Sequence, residues 1–382
     1  MEVIRRSGLA TLALAGVLAL ASCGSDSNGP SGSGSINDPQ GLQTDVNGLV
    51  GTLTTGPLIG VGNIGNLGGG ALDQLSRGHG SGMQAIIGAR PTIVLSGHGY
   101  FKVPRLQAGA RPTHPISPDG HLVTMGDAID DSYYTTVFTY NPTTQQYEDD
   151  GTNSGPANGV RFVLYDVVGG SIDPNTALGY LDVLDQSDPT KSEVAIVVTD
   201  LNGTVTYADY AVTLPDTFDP VAQTFDLLSQ GTLSDGQDNV DFEMHLTQTS
   251  PDAQVVTVGL AGPNSSMSLS VETTDDPQTD DSHFGLDITV QGHNETLRVN
   301  GAQEYDGGTG NYATNFVIRA NGKVFARATT DDGSGDPVWV KENGQPLTNA
   351  EQNLIAAVGL AVFGATLNVF ALVYFALLMV TA

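Results

Sequence analysis

From about residue 133 the chain alternates apolar and polar side chains with period two, and nothing else in it constrains the fold as strongly. Val240, Phe242, Met244 and Leu246 are interleaved with Asp241, Glu243, His245 and Thr247. Met267, Leu269 and Val271 alternate with Ser268, Ser270 and Glu272. Phe284, Leu286, Ile288 and Val290 alternate with Gly285, Asp287, Thr289 and Gln291. Successive side chains of a strand point to opposite faces, so these runs read as strands with one buried face. Residues 135–140, 159–168, 193–199 and 204–214 read the same way. Asn141-Pro142, the Asp200-Leu201-Asn202-Gly203 stretch and Asn321-Gly322 supply turn chemistry between runs. The expected fold is mainly β: a long antiparallel meander of about eight to ten strands, forming a curved sheet or unclosed barrel. Its apolar face has to be covered by another layer.

The C-terminal stretch offers a cover. Thr348 and Glu351 stand in capping-box positions, where hydroxyl and carboxylate satisfy the first free amides of a helix. From Leu354 to Ala382 no side chain is charged. A helix of that length spans about 44 Å, against a hydrocarbon core of about 30 Å. Two readings stand. As a transmembrane span, the helix has the length but no Lys or Arg after it. As a core helix, it fills the sheet's apolar face. Ala357, Ala361, Gly364, Asn368 and Ala371 form a seam of mostly small residues. Leu360, Phe363, Leu367, Phe370 and Tyr374 form the opposite, bulky side, expected to meet either membrane or core. A small-residue seam permits close approach in water or in lipid and does not choose between them.

The N-terminus gives an address. Arg5 and Arg6 precede an apolar run over 9–20, too short to span a bilayer but suited to a secretory signal. It ends Leu20-Ala21-Ser22-Cys23-Gly24. This ending resembles the lipobox of bacterial lipoproteins. The resemblance implies cleavage before Cys23, acylation of that cysteine with palmitate-type chains, and membrane anchoring in the cell envelope. Gly24, where the family's inner-membrane proteins carry aspartate, implies the outer membrane in a Gram-negative cell. Cys23 is the only cysteine, which excludes an intrachain disulfide and a cysteine zinc cluster. The chain divides into a signal peptide (1–22), a Gly/Ser-rich tether (23–35), a Gly-rich and partly irregular region (36–132), the β domain (133–346) and the apolar helix (347–382). Within 36–132, Leu72, Leu75 and residues 83–87 suggest short helical pieces.

Forty-two acidic against 14 basic side chains give a formal net charge of −28. Loss of Glu2, Arg5 and Arg6 with the signal leaves about −29. Such a surface repels nucleic acid and anionic headgroups. The seven histidines, at 79, 98, 114, 121, 245, 283 and 293, make no HxH or HExxH pair. There is no nucleophile elbow and no phosphate loop, so neither an enzyme nor a cofactor is expected. His245 is expected to be solvated. Asp235, Asp238 and Asp241, and then Asp331, Asp332 and Asp336, are calcium candidates. They do not fit the 12-residue calcium loop, and aspartate is also a common turn former.

The layout of anchor, tether, meander and apolar helix is similar in outline to periplasmic lipoproteins with an unclosed barrel, whose apolar concave face carries lipids or lipoproteins. That resemblance implies a hydrophobic ligand. The expected function is a lipid-anchored envelope lipoprotein with a non-enzymatic binding or structural role. The alternatives are a membrane protein with an exported acidic β domain and a C-terminal transmembrane helix, and a calcium-binding surface or adhesion protein.

Overall fold

The computed structural model describes residues 34–53, 56–58, 61, 94–95, 101–102, 129, 131–168, 171–188, 190–215, 224–250, 252–276, 278–330 and 338–380. Helix α1 (Pro39–Thr52) comes first, then a two-strand ribbon of β1 (Val94–Leu95) and β2 (Phe101–Lys102). One large sheet follows: β3 (Val137–Asn141), β4 (Gln146–Asp149), β5 (Gly159–Val168), β6 (Ser171–Asp185), β7 (Lys191–Asp200), β8 (Thr206–Pro215), β9 (Phe225–Ser234), β10 (Asn239–Ser250), β11 (Ala253–Ala261), β12 (Ser265–Asp276), β13 (Asp281–Gly292), β14 (Glu295–Asp306), β15 (Asn311–Ala320), β16 (Lys323–Thr330) and β17 (Val338–Lys341). Helix α2 (Asn349–Val380) closes the chain.

The sheet has 15 strands, where the sequence suggested about eight to ten. From β17 back to β5 each strand pairs with its neighbours in sequence, all antiparallel. β3 and β4 complete the order, and β3 lies parallel to β5 through Val137–Arg161 and Phe138–Phe162. The sheet is therefore mixed at this edge rather than wholly antiparallel. The physical return is aromatic: the Phe138 and Phe162 rings stack with centroids 5.0 Å apart, and both are fully buried. The two edge strands, β4 and β17, do not pair with each other, so the sheet is unclosed.

Register turns the alternation into a continuous apolar face. Met244, Val258, Leu269, Ile288, Val299, Ile318 and Ala326 stand opposite one another from β10 to β16. Each fully buried aliphatic side chain of this kind stabilises by about 1.5–3 kcal/mol. The row continues through Ser229 and Val212. Ser229 is wholly buried, and its Oγ has no hydrogen-bond partner among the described residues.

Two helices lie on this face. α2 packs against β7, β8 and β12, and α1 against β10, β12, β13 and α2. Thr348 and Glu351 form the capping box reciprocally: Thr348 N–H donates to Glu351 Oε2 (2.7 Å), and Glu351 N–H donates to Thr348 Oγ1 (3.3 Å). The buried stripe of α2 is Val358, Val362, Ala365, Val369, Leu372 and Ala376. It runs between the small seam and the bulky side recognised in the sequence. Leu360 is 63% exposed, and Phe363 and Phe370 are half-buried. The side chains of Leu367 and Tyr374 lie outside the described residues. Of the positions expected to meet either membrane or core, Leu360 therefore stands on the outward side of the helix and does not line the core.

α1 shows that the Gly-rich, partly irregular region 36–132 contributes a helix to the cover of the sheet. Asp38 caps it through Oδ1, which accepts from Gly41 N–H at 2.8 Å, and Pro39 opens its first turn. Leu42, Val46 and Leu49 line its buried side. The segments around Leu72, Leu75 and 83–87 lie outside the described residues.

α2 is tied to the sheet by a buried polar contact. Tyr210 Oη donates to the Leu372 carbonyl at 2.9 Å. Gly231 makes room for it: Gly231 pairs with both Tyr210 and Phe242, whose rings meet edge-to-face at 5.4 Å. A Cβ at Gly231 would fall 2.2 Å from the Asp209 carbonyl oxygen and 2.4 Å from Tyr210 Cα. Gly231→Val is therefore expected to destabilise by about 1–3 kcal/mol through overpacking, read as a lower urea midpoint with an unchanged slope.

Candidate functional site

The best-defined polar assembly sits where the N-terminal segment enters the fold. Gly34 N–H donates to the Val324 carbonyl of β16 at 2.8 Å. Glu295, at the start of β14, is 5% exposed. Its Oε1 accepts from the backbone N–H of Asn37 (2.8 Å) and Asp38 (3.1 Å), and its Oε2 from the Asn321 amide. The same Asn321 amide donates to the Ser35 carbonyl at 3.0 Å. Burial pushes the Glu295 carboxyl up, but the donors from Asn321, Asn37 and Asp38 outweigh it and hold it below the ordinary range. Beside it, His293 Nε2 lies 3.0 Å from Asp38 Oδ2. Asn321 and Gly322 hold positive φ, +54° and +79°, as a tight hairpin turn between β15 and β16 requires. The chain leading from Cys23 is thereby clamped to the β13–β14 and β15–β16 turns. Cys23 itself lies outside the described residues.

At the opposite ends of the strands, a cleft of about 600 Å³ opens around the β12–β13 and β14–β15 turns. Asp276, Asp281, Glu304 and Asp306 line it with His283 and Tyr305. Its carboxylates are engaged locally. Asp276 accepts from Gln278 N–H (2.8 Å), Asp281 from Gly307 N–H (2.9 Å) and Asp306 from Thr309 N–H (3.0 Å). Glu304 Oε1 meets His283 Nδ1 at 2.6 Å. The Gln278 amide above all holds the Asp276 carboxyl below its usual range, and Thr309 does the same for Asp306. Among water-exposed groups of this kind the available chemistry is hydrogen-bond acceptance and a weak attraction for cations.

The calcium candidates in the β9–β10 turn do not converge. Asp235 Oδ1 accepts from the N–H groups of Gln237 and Asp238, both at 2.8 Å. Asp241 Oδ1 accepts from Thr232 Oγ1 across the strands at 3.1 Å. Asp238 contributes its backbone carbonyl, to Ser234 Oγ at 2.9 Å. Asp331, Asp332 and Asp336 lie outside the described residues. Among the described residues no group of three or more His, Cys, Asp or Glu is placed to share a metal ion. His245, expected to be solvated, keeps its side chain 41% exposed and also contacts Asp226 on the neighbouring strand. His79, His98, His114 and His121 lie outside the described residues.

Sequence reasoning missed the clamp. Glu295 and Asn37 are 258 positions apart, and no local pattern joins them. Asn37-Asp38-Pro39 before Leu42, Val46 and Leu49 was the available signal, an N-cap and proline ahead of an apolar stripe. No family model, curated protein or solved structure matches the chain.

Proposed function

We propose that the chain is an exported envelope lipoprotein, anchored by lipid on Cys23, whose acidic β domain has a non-enzymatic structural or binding role. The observation that carries this reading is the clamp. The described chain from Gly34 to Asp38, on the side of the sequence that leads to Cys23, is held by a buried carboxylate and by Asn321. A chain held by its N-terminus gains from such a fixed point of attachment. Occupation of the sheet's apolar face by α1 and α2 favours a structural body, or one that binds through its polar surface, over a carrier of apolar ligands.

Cys23→Ala tests the anchor. The wild type is expected to incorporate labelled palmitate and to sediment with membranes. The variant is expected to lose the label and appear in the soluble envelope fraction. Equal labelling of the two proteins would refute the reading.

A second reading, a C-terminal transmembrane helix, draws on Leu360. Asn349–Phe370 is long and apolar enough to cross a bilayer, and Leu360 faces outward from it. The helix variants described in the Discussion separate the two.

A further inference from the structure

Strand register places the clamp, and two exposed apolar tips, at one end of the sheet. The pairs Gly292–Glu295, Ala320–Lys323, Ala261–Ser266, Ser234–Asn239, Thr199–Thr206 and Val168–Ser171 all close turns at this end. Among the described residues four large apolar side chains are exposed: Val168, Leu201, Val340 and Leu360. Val168 (64%) and Leu201 (43%) sit at the tips of the β5–β6 and β7–β8 hairpins, at the clamp end. The other two belong to β17 and α2, and none is at the turns of the far end. The β5–β6 hairpin also projects. Pairing of β6 with β7 stops at Gly179–Asp200, whereas β5 and β6 stay paired out to Val168–Ser171. Beyond a register shift at Leu164–Tyr165, the residues Tyr165–Val168 carry the β5–β6 pairing past the last β6–β7 pair.

We propose that this end of the strands is a membrane-docking surface, with Val168 and Leu201 entering the interface of a zwitterionic lipid leaflet. The proposal rests on the lipid-anchor reading and adds an orientation to it. Eleven backbone steps separate Cys23 from Gly34, and fully extended they reach about 38 Å. The 12-residue strands β12–β14 are themselves about 40 Å long. Only the clamp end therefore comes near the bilayer without drawing the tether to its limit. Apolar tips beside an anchor add burial that a lone lipid attachment does not supply. The leaflet is zwitterionic because the same end carries Asp173, Asp200, Asp235 and Asp238, which repel anionic headgroups. The acidic cleft at the β12–β13 and β14–β15 turns then faces away from the membrane.

The test uses the full-length acylated protein, in which lipid blocks the Cys23 thiol. Val168→Cys, Leu201→Cys and, at the far end, Gln278→Cys each receive a polarity-sensitive fluorophore. The proteins are reconstituted in phosphatidylcholine–phosphatidylethanolamine vesicles containing spin-labelled lipid, and palmitate incorporation is measured in parallel. Blue-shifted emission and several-fold stronger quenching at 168 and 201 than at 278 are expected. Acylated protein with equal quenching at all three positions overturns the docking surface and leaves the anchor standing. Protein that incorporates no palmitate overturns both.

Discussion

Val369→Asp should cost about 3–5 kcal/mol, because it leaves an uncompensated charge in a closed apolar layer. Val369 is fully buried in the stripe of α2 that faces the sheet. A domain's whole stability is about 5–15 kcal/mol, so this single change is expected to remove the cooperative melt at ordinary temperatures or lower its midpoint sharply. Leu360→Asp, on the outward side of the same helix, is expected to leave the melt nearly unchanged. A transmembrane α2 predicts a different pattern. Aspartate would then be costly at 360 as well, and a Cys23→Ala protein lacking 349–382 would be soluble and melt cooperatively. That last result would defeat the core-helix account, in which the truncated sheet exposes its apolar face and aggregates.

Glu295→Ala carries the second large effect. It leaves the part-buried N–H groups of Asn37 and Asp38 without their carboxylate acceptor, at a cost of about 1–2 kcal/mol. The first turn of α1 is expected to exchange its amide hydrogens faster, while β10–β13 stay protected. The clamp also gives a signed pH dependence. The folded carboxyl titrates below its unfolded value, so its stabilisation is fully present above the ordinary glutamate range of about 4.3. It is lost as pH falls through the lower folded value. Wild type should therefore lose stability on acidification below about pH 4.3 more steeply than Glu295→Gln. Parallel stability curves for the two proteins below that pH would contradict the assignment.

Strands with strict alternation were legible from the sequence: the apolar positions that the pattern names in β10, β12 and β13 are buried, save the half-buried Phe284. β6 and β14 were not. Pro174 interrupts the first, and Gly301 sits among half-buried residues on both faces of the second. Such strands take their conformation from neighbours that are already paired, so their own residues carry little period. The parallel contact of β3 with β5 depends on Phe138 reaching Phe162, which nothing local records. In α2 the helix and its cap were plain, but its buried face was not. A helix apolar all round shows no preferred side, and close packing on the strands selected the valine stripe. The clamp is long-range for the same reason: each half reads as ordinary turn chemistry until the fold brings the halves together.

Strand order also bears on the moment of synthesis. Because β5 to β17 pair in the order in which they are made, hairpin after hairpin can close over short loops as the chain emerges. The helix that covers β7 and β8 follows all of these strands in the chain. Until α2 docks, α1 is the one other described helix on the sheet's apolar face, and exposed faces of that kind invite aggregation. Truncation near the C-terminus should consequently be far more damaging than its distance from the sheet in sequence suggests.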